Sequence, residues 1–209
     1  MKKNYNLIME DILKNLNGRP KLLLHACCGI CSSSVLERLY SYFDITVLYY
    51  NPNTYPLYEY KKRYDTLRKL IEKNKMDVQL LEIGYQNEKF DKISIGYENE
   101  KEGGIRCARC IELRLDKTAA LAKEKGYDYF TTTLSVSPHK NSELINKIGQ
   151  VLEKKHKIKY LYSDFKKKEG FKRSNELSKK YDLYRQNYCG CKYSLKDVEV
   201  RGKKYEEKS

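Results

Sequence analysis

The 209-residue sequence has no tryptophan, no internal repeat and no low-complexity linker. No apolar run approaches the roughly 20 residues of a membrane-spanning helix, which excludes a helical span. Residues 1–20 are polar and lack an apolar stretch ahead of a small-residue cleavage site, so no secretory signal is expected and the chain reads as cytoplasmic. Acidic groups are scarce, with 28 Asp and Glu against 42 Lys and Arg, and the formal net charge is +14. That imbalance fits a polyanionic partner, nucleic acid above all, or a merely lysine-rich surface, and composition leaves both open. What is present is a 40% hydrophobic content, enough for a globular chain with one substantial core. Twenty tyrosines supply rings for packing and for stacking on bases.

Apolar residues at helical spacing mark a lead-in helix over 5–16, and Asn17-Gly18 ends it. Residues 21–26 form the first strand, too short and too uniformly apolar for a surface position. Further strands are expected over 44–50, 78–83, 127–134 and 158–162. Helices are expected after Ser32–Ser34, which can cap the next one, and from Pro56 to 74, over 107–125, around 144–152 and near 174–181. Residues 84–104 read as loop or short helix, and the last dozen residues as frayed. Strands alternating with helices predict an α/β fold, a mostly parallel, Rossmann-like sheet covered on both faces, and the loop after the first strand gives it a likeness to the PP-loop ATPases. Residues 1–163 form that core. Residues 164–209 form a basic helical extension folded onto it as one domain. In such sheets the site lies beyond the carboxyl ends of the strands.

The seven cysteines all fall near such positions or in tight pairs: Cys27, Cys28 and Cys31 after the first strand, then Cys107-x-x-Cys110, then Cys189-x-Cys191. In a reducing compartment, clustering of this kind reads as metal ligation or redox chemistry rather than a disulfide framework. All seven are expected to converge on one metal-centred site. Cys107 and Cys110 share a face at a helix start, where the positive helix end favours thiolates. Gly190 lets both sulfurs of its pair turn toward one site. Four thiolates suffice for tetrahedral zinc, whereas an iron–sulfur cubane takes three or four and leaves others for a further metal. The first loop also resembles the SGGxDSS pyrophosphate loop of ATP-using tRNA-modifying enzymes, with Cys27-Cys28 in place of Ser-Gly and Cys31 in place of Asp. Thiolates suit a soft metal rather than phosphate.

Other residues carry two readings each. His25 is a packed core histidine or a catalytic one, and Asp164 a ligand, a general acid or a helix cap. Lys166, Lys167 and Lys168, with Arg173, Lys179, Lys180 and Arg185, are a solvated loop or a phosphate-contacting patch. Tyr184 and Tyr188, around Arg185-Gln186-Asn187, pack plainly or stack on an extruded base.

The segments LLLHACCGICSSSVLERL, YNPNTYPLYEYKKR, RCARCIELRL, FTTTLSVSPHKN and DFKKKEGFKRSNELSKKYDLYRQNYCGCKYS together resemble the cobalamin-independent epoxyqueuosine reductases, the QueH family. The resemblance runs in chain order over about residues 20–195 and takes in every cysteine. It implies an oxidoreductase that reduces the epoxide of epoxyqueuosine at the wobble position of a tRNA with a GUN-type anticodon. It implies a [4Fe–4S] cluster beside a second, mononuclear iron, with no cobalamin and no ATP. The ligands carried over by position are Cys27, Cys28, Cys107, Cys110, Cys189 and Cys191. Cys31 stands where some relatives have Asp, as a further ligand or a catalytic group. A reduced ferredoxin or flavodoxin would supply electrons, and Asp164, His25 or water the protons. Two rivals predict otherwise: an ATP-dependent iron–sulfur tRNA thiolation enzyme would bind ATP at the first loop, and a zinc-stabilised RNA-binding module would have no turnover.

Overall fold

The computed structural model describes residues 3–206. Helix α1 (Tyr5–Lys14) precedes β1 (Lys21–His25), α2 (Gly29–Leu39), β2 (Asp44–Tyr49), α3 (Leu57–Asn74) and β3 (Gln79–Glu82). Then come α4 (Asn87–Ser94), α5 (Ile105–Glu124), β4 (Tyr129–Thr132), a 3-10 turn (Thr133–Val136), α6 (Ser142–His156) and β5 (Lys159–Tyr160). Helices α7 (Gly170–Lys180) and α8 (Lys192–Glu206) complete it. The five strands form one sheet in the order β3-β2-β1-β4-β5, and every pair is parallel.

The uniformly apolar strands divide their side chains between two faces. Leu22, Leu24, Ile45, Val47 and Tyr49 pack with Leu36, Leu39, Leu67 and Leu70 of α2 and α3. Leu23, Leu48 and Phe130 pack with Leu115, Ala119, Ile145 and Leu152 of α5 and α6. Alternation along an extended chain sends neighbours to opposite faces, and helices on both faces require both to be apolar. The α/β expectation with a parallel sheet therefore holds.

Strand order reverses between β1 and β4, which places a switch point beyond their carboxyl ends, where α2 begins. The start of α2 differs from expectation. Its cap is Cys28, whose sulfur accepts from the Cys31 amide at 3.5 Å. Ser32, Ser33 and Ser34 lie inside the helix and are buried. The Ser32 and Ser33 hydroxyls donate back to the Cys28 and Ile30 carbonyls, and Ser34 meets Ser174 of α7 at 2.6 Å. Short hydroxyl side chains satisfy themselves this way within a helix. A Cβ at Gly29 would stand 2.9 Å from the Thr66 carbonyl, so the absence of a side chain lets α2 approach α3. Helix α8 (Lys192–Glu206) runs into the last dozen residues, which were expected to fray.

Candidate active site

Cys27 and Cys28 leave β1 at the switch point, and Cys31 follows one helical turn into α2. Their three sulfurs lie within 4.8 Å of one another. No other group of three Cys, His or acidic ligands gathers as tightly among the described residues. The Cys27 amide donates to Thr133 Oγ1 at 3.2 Å, and that hydroxyl lies 3.4 Å from the Cys27 sulfur, tying the loop to the end of β4. Gln186 Nε2 donates to the Cys28 sulfur at 3.1 Å. Contacts with Cys27 and Cys31, aided by these donors, hold the Cys28 thiol far below its ordinary value. The contact with Cys28 pushes Cys27 up to about 12, and the contacts with Cys27 and Cys28 push Cys31 well above its ordinary value.

The other four cysteines form a second group. Cys107 and Cys110 on the first turns of α5 face Cys189 and Cys191 across a small hollow lined also by Asn53, Phe90, Arg106, Arg114 and Lys140. The expected thiolate preference at the helix start is outweighed. Burial raises both thiols, Cys110 to about 11, so metal binding here must displace protons. The Cys189-Gly190-Cys191 turn is held from α3. Arg63 donates to the carbonyls of Tyr188 and Cys189 at 3.2 and 3.0 Å. Its guanidinium is itself clasped by Glu59 at 2.7 Å, with both side chains buried. Gly190 has φ +129°, and a Cβ there would lie 2.8 Å from Arg63 Nη1.

A cavity of about 470 Å³ opens beside both groups. Cys27, Cys31 and Cys189 lie in its wall, and Arg185, Gln186, Asn187, Tyr188 and Phe171 line it as well. Asn53, Arg114, Lys140 and Cys189 line both this cavity and the hollow, forming the partition between them. The Asn53 side-chain oxygen is buried without a partner, and Lys140 Nζ lies 3.0 Å from the Cys189 sulfur. Three cations, Arg106, Arg114 and Lys140, line the quartet's hollow, which fits a negatively charged metal–thiolate assembly, and the donor set suits soft metals. The seven cysteines therefore stand as a compact trio and a wider quartet flanking one cavity, where one convergent site was expected.

The remaining expected residues separate. His25 does not line the cavity, and its ring is fully buried. Nδ1 meets Thr132 Oγ1 at 2.8 Å and Nε2 meets the Tyr50 carbonyl at 3.1 Å. Burial lowers its pKa to about 3, so the ring is neutral and fully used in packing. Asp164 is buried beside Lys166 at 3.3 Å and is likewise absent from the cavity wall. Arg173 is held by Glu37 and Glu176, and Lys168 pairs with Glu10. Lys167, Lys179, Lys180 and Arg185 stay exposed. Tyr188 lines the cavity, whereas Tyr184 turns its hydroxyl to Glu59 at 2.9 Å under Lys62. Arg63, Arg114 and Lys140 were not expected as site residues. A single Arg or Lys within a helix or loop carries no spacing signal.

A family model described as "Epoxyqueuosine reductase QueH" matches residues 22–197. Among similar curated proteins, one from Streptococcus pyogenes serotype M1 is 43% identical over 200 residues, covering 92% of this chain and 78% of the relative. One from Staphylococcus aureus is 41% identical over 205 residues, covering 92% and 85%. One from Thermotoga maritima is 36% identical over 177 residues, covering 83% and 90%. Each is named "Epoxyqueuosine reductase QueH".

Proposed function

Because this chain belongs to the QueH family of epoxyqueuosine reductases, a family of oxidoreductases, we propose that it removes the epoxide oxygen of epoxyqueuosine at the wobble position of a GUN-anticodon tRNA, yielding queuosine and water. The observation that carries this reading is the single cavity flanked by both cysteine groups. Cys107, Cys110, Cys189 and Cys191 would hold a [4Fe–4S] cluster. Cys27, Cys28 and Cys31 would hold the single iron.

The spacing supports that division. Four thiolates on one zinc, at Zn–S about 2.3 Å, would stand about 3.8 Å apart. Only the trio approaches such a separation. When bound, the two groups supply electrons and a Lewis acid for the departing oxygen.

The chain's own residues position the substrate. The swung-out base enters past Phe171 and Tyr188, whose rings offer stacking faces, while Gln186 and Asn187 offer hydrogen bonds to its edges. Arg185 at the same wall, with exposed Lys179 and Lys180, meets the anticodon phosphates. Protons arrive with water through the open mouth, past His139, since His25 has both ring nitrogens engaged. A reduced ferredoxin or flavodoxin is the electron source, in the reducing cytoplasm that keeps such thiols free.

Anaerobic reconstitution followed by iron, zinc and acid-labile sulfide analysis tests the redox reading. Iron in modest excess over sulfide is expected. Cys31→Ser should lower the iron while leaving the sulfide. Zinc without sulfide overturns the reading.

A further inference from the structure

Arg114 is a charge without an obvious counterpart. It sits on α5 one turn after Cys110, and its Nε donates to the Cys110 carbonyl at 3.1 Å. Only 4% of it is exposed. Among the described residues no carboxylate pairs with it, whereas its neighbour Lys140 has Glu102 at 3.2 Å. It lines both the cavity and the hollow, beside Cys27, Cys31 and Cys189 in the one and all four cysteines of the quartet in the other. Burying a guanidinium alone is costly, and arginine cannot shed its proton, so the site must supply negative charge when assembled.

We propose that Arg114 is the permanent counter-charge of the metal group held by Cys107, Cys110, Cys189 and Cys191, and that it raises the reduction potential of that group. The inference rests on the reading of the quartet as an iron–sulfur site. A thiolate-bound cluster is anionic and gains one further negative charge with each electron from an external low-potential donor. A fixed cation in a poorly screened interior stabilises the reduced state more than the oxidised one. Lys140 contributes less, because Glu102 already offsets it.

The test is a potentiometric titration with dithionite, followed by electron paramagnetic resonance, on the reconstituted full chain and on Arg114→Met, Arg114→Gln, Arg114→Lys and Lys140→Met. Both neutral Arg114 variants should show a more negative midpoint than the parent. Arg114→Lys should restore most of the shift, and Lys140→Met should move the midpoint less than Arg114→Met. Neutral variants that load iron and titrate at the parent potential would overturn the proposal, as would a larger shift from Lys140→Met. If both neutral variants fail to load while Arg114→Lys loads, the counter-charge is needed for assembly and the proposal stands. If all three Arg114 variants fail to load, the guanidinium serves packing and the proposal falls. A parent protein holding zinc and no sulfide would overturn the underlying functional reading, and the inference with it. The metal analysis separates that outcome from the others.

Discussion

Cys28 is where three parts of the chain meet: the end of β1, the first turn of α2 and Gln186 of the late loop. The cysteine spacings were legible in the sequence, and with them a donor set that could hold a metal. Their division into trio and quartet was not, because it depends on where β1, α5 and the Cys189-Gly190-Cys191 turn sit in space. Arg63, which holds that turn, gave no signal, since one basic residue in the run YEYKKRY reads as surface charge. Its role makes Gly190 a sharp test. Gly190→Ala adds a Cβ where φ is +129° and Arg63 is 2.8 Å away. A cost of about 1–3 kcal/mol is expected in urea unfolding, together with lower iron retention by the quartet. Unchanged stability and iron content would mean the turn relaxes freely.

At the scale of elements, the strands and most helices were readable from period and composition, while the start of α2 and the whole of α8 were not. The serines of α2 look like a cap because hydroxyls usually serve there, yet the Cys28 sulfur takes that position and the serines bond backwards. Helix α8 was missed because its charged sequence shows only a weak apolar face. Helix α7 carries Phe171 and Asn175 of the cavity wall and docks on α2 partly through Arg173, which grips Glu37 at 2.7 and 2.8 Å. The hydrogen bond from Arg173 holds the Glu37 carboxyl below its usual value. The stabilisation is therefore full above an unfolded carboxyl pKa of about 4.3 and is lost as pH falls through the lower folded value. Glu37→Gln should accordingly be less stable than the parent at neutral pH and lose less on acidification below about pH 4. Parallel stability curves in thermal melts across that range would contradict the pairing.

For the whole molecule, the +14 charge was legible but its use was not. Several of the basic residues expected on RNA are paired within the protein, Arg173 with Glu37 and Lys168 with Glu10 among them. The exposed Lys179 and Lys180 are better placed to meet phosphate. Replacing either with alanine should reduce the slope of log affinity against log salt by about 1 in anisotropy titrations with an anticodon stem-loop. An unchanged slope would place the phosphate contacts elsewhere. Under the proposed function, two cysteine groups on one cavity serve a single reductive deoxygenation. Its most direct test is nucleoside mass spectrometry after anaerobic, dithionite-reduced protein is incubated with epoxyqueuosine-containing tRNA. Conversion to a nucleoside lighter by one oxygen is expected, abolished by Cys→Ser changes in either group. Unaltered epoxyqueuosine with fully iron-loaded protein, or conversion that survives loss of one group, would contradict it.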